Sequence, residues 1–293
     1  MTARHLFILG LGYSASAFVR RVRGDYASIG GTVRSAEKAR RLRAEGIDAL
    51  VFDGVTPSPA IGEAVRRATH LVQSIAPDSS GDSALRLYRD AILAAPDLAW
   101  IGYLSTVGVY GDQGGGWADE ASPPNAVSER ARNRVEAEAA WTALGEEKAI
   151  PVGLFRLAGI YGPGRNTFVN LAEGTARRLV KPGQVFNRIH VDDIAAVLEA
   201  AADQRAGGIF NVTDNEPAPP QDVVAFAASL AGYPPLPDIP FENAQLSPMA
   251  RSFYADNKRI ANGALKSRLG VELKYPTYRD ALSALWDSGS WRG

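Results

Sequence analysis

The 293-residue chain sets 32 Lys and Arg against 32 Asp and Glu, so its formal charge is zero. That balance argues against a dedicated nucleic-acid binder, and 46% hydrophobic residues with only 22% charged argue against a disordered chain. Cys is absent and the three His residues (His5, His70, His190) lie far apart, which excludes disulfides and Cys nucleophiles and leaves no expected metal site.

The apolar run Leu6–Leu9 is too short for a signal-peptide core, and no stretch approaches the roughly 20 apolar residues of a membrane helix. A cytoplasmic protein with no membrane partner is therefore expected. Short β-rich runs are predicted at His5–Leu9, Ala27–Val33, Ala49–Phe52, His70–Ser74, Trp100–Leu104 and Val152–Leu157. Helical patterns separate them at Ala15–Arg23, Ala36–Glu45, Ala60–Ala68, Ser83–Ala94 and Val127–Leu144. Such alternation defines an α/β chain with βαβ crossovers, a doubly wound parallel sheet of the Rossmann type.

Beyond about residue 158, Pro and Gly punctuate the chain, with helices predicted at Asp192–Ala202, Gln221–Leu230, Asn257–Leu269 and Thr277–Trp286. Residues 1–157 are read as a dinucleotide-binding domain, to which parts of 184–213 return. Residues 158–293 are read as a smaller, loop-rich substrate lobe interwoven with it. The run Gly114-Gly115-Gly116 is expected to be a mobile loop.

Gly10-Leu11-Gly12-Tyr13-Ser14-Ala15 follows the first strand and opens a helix. The first Gly permits a tight turn, the second lets backbone approach a pyrophosphate, and Ala15 allows close helix–strand packing. Free N–H groups at the helix start then face the phosphates. After the second strand, Arg34-Ser35 stands where an acidic residue would bind a ribose 2′-hydroxyl, and Lys38 follows one turn on. Two cations there favour NADP over NAD, although both also fit a solvated basic helix face. Asp53 after the third strand is a candidate contact for adenine.

The blocks Leu104-Ser105-Thr106-Val107-Gly108-Val109-Tyr110-Gly111, Gly159-Ile160-Tyr161-Gly162-Pro163-Gly164-Arg165 and Ile189-His190-Val191-Asp192-Asp193 occur in that order, followed by Phe210-Asn211-Val212-Thr213. In these the chain resembles the extended and atypical short-chain dehydrogenases/reductases, the group of the nucleotide-sugar epimerases and dehydratases. The resemblance implies further cofactor contacts at Ser74, Ala76, Pro77, Ser105, Leu157 and Gly159, and a substrate pocket at Thr106, Tyr110, Tyr161, Arg165 and Arg188. It also implies catalysis by a Ser/Thr with a Tyr-x-x-x-Lys pair on one helix, where the Lys lowers the Tyr pKa.

By register with the Val-Tyr-Gly block, Thr106 takes the Ser/Thr position, Ser128 the Tyr position and Arg132 the Lys position, with Glu136 matching a familial acidic residue. None of the ten tyrosines lies between Tyr110 and Tyr161, so no sliding of the helix restores the Tyr. A Ser hydroxyl is a far weaker acid than Tyr, and Arg stays protonated, so proton relay is impaired while Arg132 can still bind ribose. The literal Tyr254-x-x-x-Lys258 lies in the C-terminal lobe and is not read as catalytic.

From Arg156 to Val191 six cations face one anion, which suits a small anionic substrate. His190 is read as a hydrogen-bonding residue of the fold, and Asp192 and Asp193 as helix-start carboxylates. The expectation is an NAD(P)-binding oxidoreductase or epimerase with an altered active site, monomeric or homodimeric. Its rival is a non-catalytic NAD(P) sensor or scaffold.

Overall fold

A computed structural model describes residues 3–293. The first half runs β1 (His5–Leu9), α1 (Tyr13–Arg21), β2 (Ser28–Val33), α2 (Ala36–Ala44), β3 (Asp48–Val51), α3 (Pro59–Arg67), β4 (His70–Gln73), α4 (Ser83–Leu93) and β5 (Trp100–Thr106). There follow β6 (Trp117–Ala118), α5 (Glu129–Lys148), β7 (Val152–Leu157), β8 (Gly159–Tyr161), α6 (Thr167–Ala172), β9 (Arg178–Val180), β10 (Arg188–His190) and α7 (Val191–Gln204). The chain ends with β11 (Gly208–Val212), α8 (Pro220–Leu230), β12 (Asp238–Pro240), α9 (Pro248–Ser252), β13 (Arg259–Ile260), α10 (Gly263–Leu269) and α11 (Tyr278–Asp287).

Seven strands form one parallel sheet in the order β11-β7-β5-β4-β1-β2-β3, the doubly wound arrangement that the alternation predicts. The order reverses between β1 and β4, and at such a switch point the loops beyond the strand ends part to form a crevice. One apolar layer packs α1, α2 and α7 onto the sheet through Phe18, Leu42 and Leu198; the opposite layer packs α3, α4 and α5 through Ile61, Ile92 and Trp141. A third cluster, including Phe168, Ala227 and Leu285, joins α6, α8 and α11 in the C-terminal lobe. No helix among the described residues is long and apolar enough to cross a membrane.

Two local expectations fail for the same reason. The helix predicted over Asn257–Leu269 begins only at Gly263, because Arg259–Ile260 is drawn into a parallel pairing with Trp117–Ala118. Asn187 reinforces this by accepting from the Ile260 N–H and donating to the Lys258 carbonyl. The Gly114–Gly116 run is therefore tied down: the N–H groups of Gln113 and Gly115 donate to the Asn257 carbonyl, and the Arg259 N–H to Gly116.

Candidate cofactor and active site

The turn after β1 is built for close approach. Gly10 has φ +97°, and a Cβ there would stand 2.9 Å from Ile75 in the loop after β4, so only glycine fits. Thr32 clamps the turn from β2, its hydroxyl accepting from Gly10 N–H at 2.9 Å and its carbonyl from Leu11 N–H at 2.8 Å. Gly12 then begins α1 with no side-chain cap, and a Cβ on it would meet nothing within 4 Å. Uncapped helix-start N–H groups beneath open space make a cradle for a phosphate group, the arrangement a dinucleotide requires. Ser14 and Ala15 are buried and fix the helix against the sheet.

Around this cradle the predicted cofactor residues divide. Arg34 is exposed at the end of β2 and makes no side-chain hydrogen bond among the described residues. Lys38 is not its free companion, since its ammonium donates to the Leu11 carbonyl at 2.6 Å and braces the glycine turn. Ser35 spends its hydroxyl capping α2. Asp53 is also committed: its carboxylate accepts from the N–H groups of Val55 and Thr56 and from the Thr56 hydroxyl, which holds its pKa below the usual range. Ser74 continues β4 by donating its N–H to the Leu9 carbonyl, while Ala76 is exposed and Pro77 buried. Leu157 closes β7 opposite Thr106, and Gly159 opens β8 opposite Arg188.

The expected pair lies at the start of α5. Ser128 is the residue before the helix, its hydroxyl accepting from the Ala131 N–H and its carbonyl from the Arg132 N–H. Arg132 is exposed and turns back to the Val127 carbonyl. The face that meets β5 carries Arg134, which donates to the Leu104 carbonyl at 2.7 Å and the Tyr103 hydroxyl at 3.0 Å, and Glu138, which is buried. Glu136, the expected acidic residue, is exposed. The cation beside the end of β5 is thus Arg134, two positions beyond the expected Arg132, while Arg130 one turn earlier is exposed with its guanidinium carbon 5.8 Å from the Phe253 ring.

Glu138 anchors a buried network absent from the sequence reading. Its carboxylate accepts from the Ser105 hydroxyl at 2.5 Å and pairs with Arg156 at 2.7 Å, the two side chains 6% and 2% exposed. Ser105 is thereby withdrawn from the cofactor. Tyr110 is withdrawn as well: it is fully buried, its hydroxyl donates to Asn211 at 2.7 Å, and its ring lies 4.7 Å from the Arg156 guanidinium carbon. Thr106 remains half-buried at the end of β5, its hydroxyl oxygen accepting from Gly108 N–H at 3.1 Å. The signal that could have found the network is the spacing of Arg130, Arg134 and Glu138, four residues apart along one face.

In the second lobe Arg165 is exposed, with its guanidinium carbon 5.9 Å from the Tyr13 ring, and the Tyr13 hydroxyl donates to the Pro163 carbonyl. This contact draws the helix start and the Gly162–Arg165 loop together. His190 caps α7, accepting from the Asp192 N–H, and burial holds its pKa down at about 4, so it stays neutral. Asp193 receives the N–H groups of Lys274 and Tyr275. Tyr254 and Lys258 share no helix; the Lys258 ammonium donates to the Gly111 carbonyl and pairs with Asp256.

Asp214, just after β11, is 1% exposed and burial pushes its pKa up to about 8. A carboxyl whose folded pKa is raised stabilises the fold while protonated, and that contribution is lost as pH rises through the folded value. Burial holds His70 and His190 at about 4, so they act oppositely while imidazoles of the unfolded chain titrate near 6.5, an effect nearly complete by about pH 7.5. Stability measured by urea unfolding is expected to fall between about pH 7.5 and 8.5, by at most about 1.4 kcal/mol per pH unit. Asp214→Asn is expected to flatten that slope; an unchanged slope would contradict the assignment.

Residues 90–213 match the NAD dependent epimerase/dehydratase family. A conserved protein of unknown function from Silicibacter pomeroyi DSS is 46% identical, with 98% of this chain and 99% of that one covered and a TM-score of 0.88. The dTDP-glucose 4,6-dehydratase of Bacillus anthracis, solved with NAD, shares the fold at 17% identity, covering 98% and 97% of the two chains with a TM-score of 0.78. A 3-diazoavenalumate denitrifying reductase from a Streptomyces species is 30% identical over 142 residues, so the match spans 44% of this chain and 45% of that reductase. Over residues 90–213 the chain is thus similar to the NAD-dependent epimerase/dehydratase family, and as a whole it shares the fold of the dTDP-glucose 4,6-dehydratase.

Proposed function

We propose that the chain is an NAD(P)-binding oxidoreductase or epimerase of the short-chain dehydrogenase/reductase type, acting on a small anionic molecule with an altered acid–base set. The observation that carries this reading is the uncapped start of α1 beneath the open space at Gly12, at the sheet's switch point. The family match and the reductase relative support the same reading. When bound there, a nicotinamide dinucleotide supplies or accepts hydride.

The chain's own residues then have limited parts. The Thr106 hydroxyl, whose oxygen accepts from Gly108, keeps its proton to donate to a substrate oxygen at the end of β5. Arg134, beside the end of β5, can hold an anionic or hydroxyl group but moves no proton. The reaction must therefore draw its proton from water or from the substrate, and turnover should lack the pH dependence of a titrating Tyr.

Arg34 is the group that selects NADP, because an exposed guanidinium at the end of β2 pairs with a 2′-phosphate. NADPH is expected to bind at least about tenfold tighter than NADH, and Arg34→Asp to abolish or invert that preference. Fluorescence titration of the two reduced dinucleotides tests this. Equal affinities in the unaltered chain would refute the NADP assignment, and absence of binding by both would refute the function.

A further inference from the structure

Arg188 opens β10 with only part of its hydrogen-bonding edge answered. Its Nη1 donates to the carbonyls of Phe186 at 2.9 Å and Ala218 at 3.1 Å. No carboxylate among the described residues forms an ion pair with it. The side chain lines a cavity of about 50 Å³ together with Tyr161, Thr167, Val223, Tyr278 and Leu282. Tyr161 and Tyr278 are 9% and 0% exposed, and the hydroxyl of each has no hydrogen-bond partner.

A half-buried cation and buried hydroxyls are costly unless paired. Burial pushes Arg188 down and the neighbouring Asp214 up, and no ion pair joins the two. The cavity has room for water-sized groups beside the guanidinium, as a small planar oxyanion needs.

We propose that this cavity is a binding site for a carboxylate-sized oxyanion, held by the unspent edge of Arg188 and the hydroxyls of Tyr161 and Tyr278. A guanidinium edge matches two carboxylate oxygens, and the tyrosines donate to the lone pairs that remain. The site lies outside the dinucleotide cradle and does not depend on the proposed function. Its oxyanion comes either from a free small acid or from the acidic end of a larger substrate.

The test is calorimetric titration of the full chain with formate, acetate and a four-carbon monocarboxylate, against chloride at equal ionic strength. Saturable binding is expected, weakened at least about tenfold in Tyr278→Phe and Tyr161→Phe, whose thermal unfolding in chloride should stay close to that of the unaltered chain, and abolished in Arg188→Gln. Formate binding alone identifies a free ion; binding of the longer acid, tightened by NADPH, identifies a substrate end. Either supports the site. No saturable binding, or equal binding by the two Phe variants, would overturn it as a salt effect. NADPH affinity, measured on the same variants, separates failure here from failure of the cofactor reading.

Discussion

Arg156→Met is expected to remove about 3–5 kcal/mol of stability, the largest effect of any single substitution argued from this structure. Arg156 and Glu138 are both almost fully buried, on β7 and α5, and the Ser105 hydroxyl from β5 completes the carboxylate's partners. Removing the guanidinium leaves Glu138 as an uncompensated charge inside the protein. It also takes a cation from the Tyr110 ring. The double variant Glu138→Leu with Arg156→Met should recover much of the loss, because matched apolar replacement removes the desolvation cost on both sides. Chemical unfolding of both variants checks this; a loss under about 1 kcal/mol for Arg156→Met would show the pair to be dispensable.

Gly12→Val should act oppositely, leaving the fold and removing dinucleotide binding. Gly12 has φ −85°, which valine tolerates, and its Cβ would meet no protein atom within 4 Å. As a start residue of α1 without a side-chain cap, it loses at most about 1–2 kcal/mol on replacement. The added methyl groups, however, occupy the space from which a pyrophosphate must reach the helix-start N–H groups. Losing two charge-assisted hydrogen bonds of about 1.5 kcal/mol each weakens binding by at least about 100-fold. Unfolding and binding measured on one preparation distinguish this from a folding defect.

The sheet was legible in the sequence because its strands are short apolar runs separated by amphipathic helices. Two of the six predicted strands, His5–Leu9 and Val152–Leu157, have the observed limits. The glycine turn was legible because its spacing at a first βα junction has a geometric meaning, which the positive φ at Gly10 satisfies. The active-site helix was less so. Counting forward from Val109-Tyr110-Gly111 crosses a loop whose length sets no helical phase, and a two-residue shift moves every side chain to another face. Only the contacts of Arg134 and the burial of Glu138 fix that phase.

Burial was the second blind spot. Tyr110 and Ser105 sit in familial blocks, but their partners Asn211 and Glu138 lie 101 and 33 residues away, beyond any local pattern. Arg188 was visible as one cation in a basic stretch. What the sequence could not show is that it lines one cavity with Tyr278, from α11 in the second lobe.

The central claim is that a dinucleotide occupies the cradle at Gly12, and direct calorimetric titration of the unaltered chain and of Gly12→Val with NADPH tests it. Saturable one-to-one binding that is lost in the folded variant is the predicted result. No binding by the unaltered chain, or unchanged affinity in Gly12→Val, would contradict it.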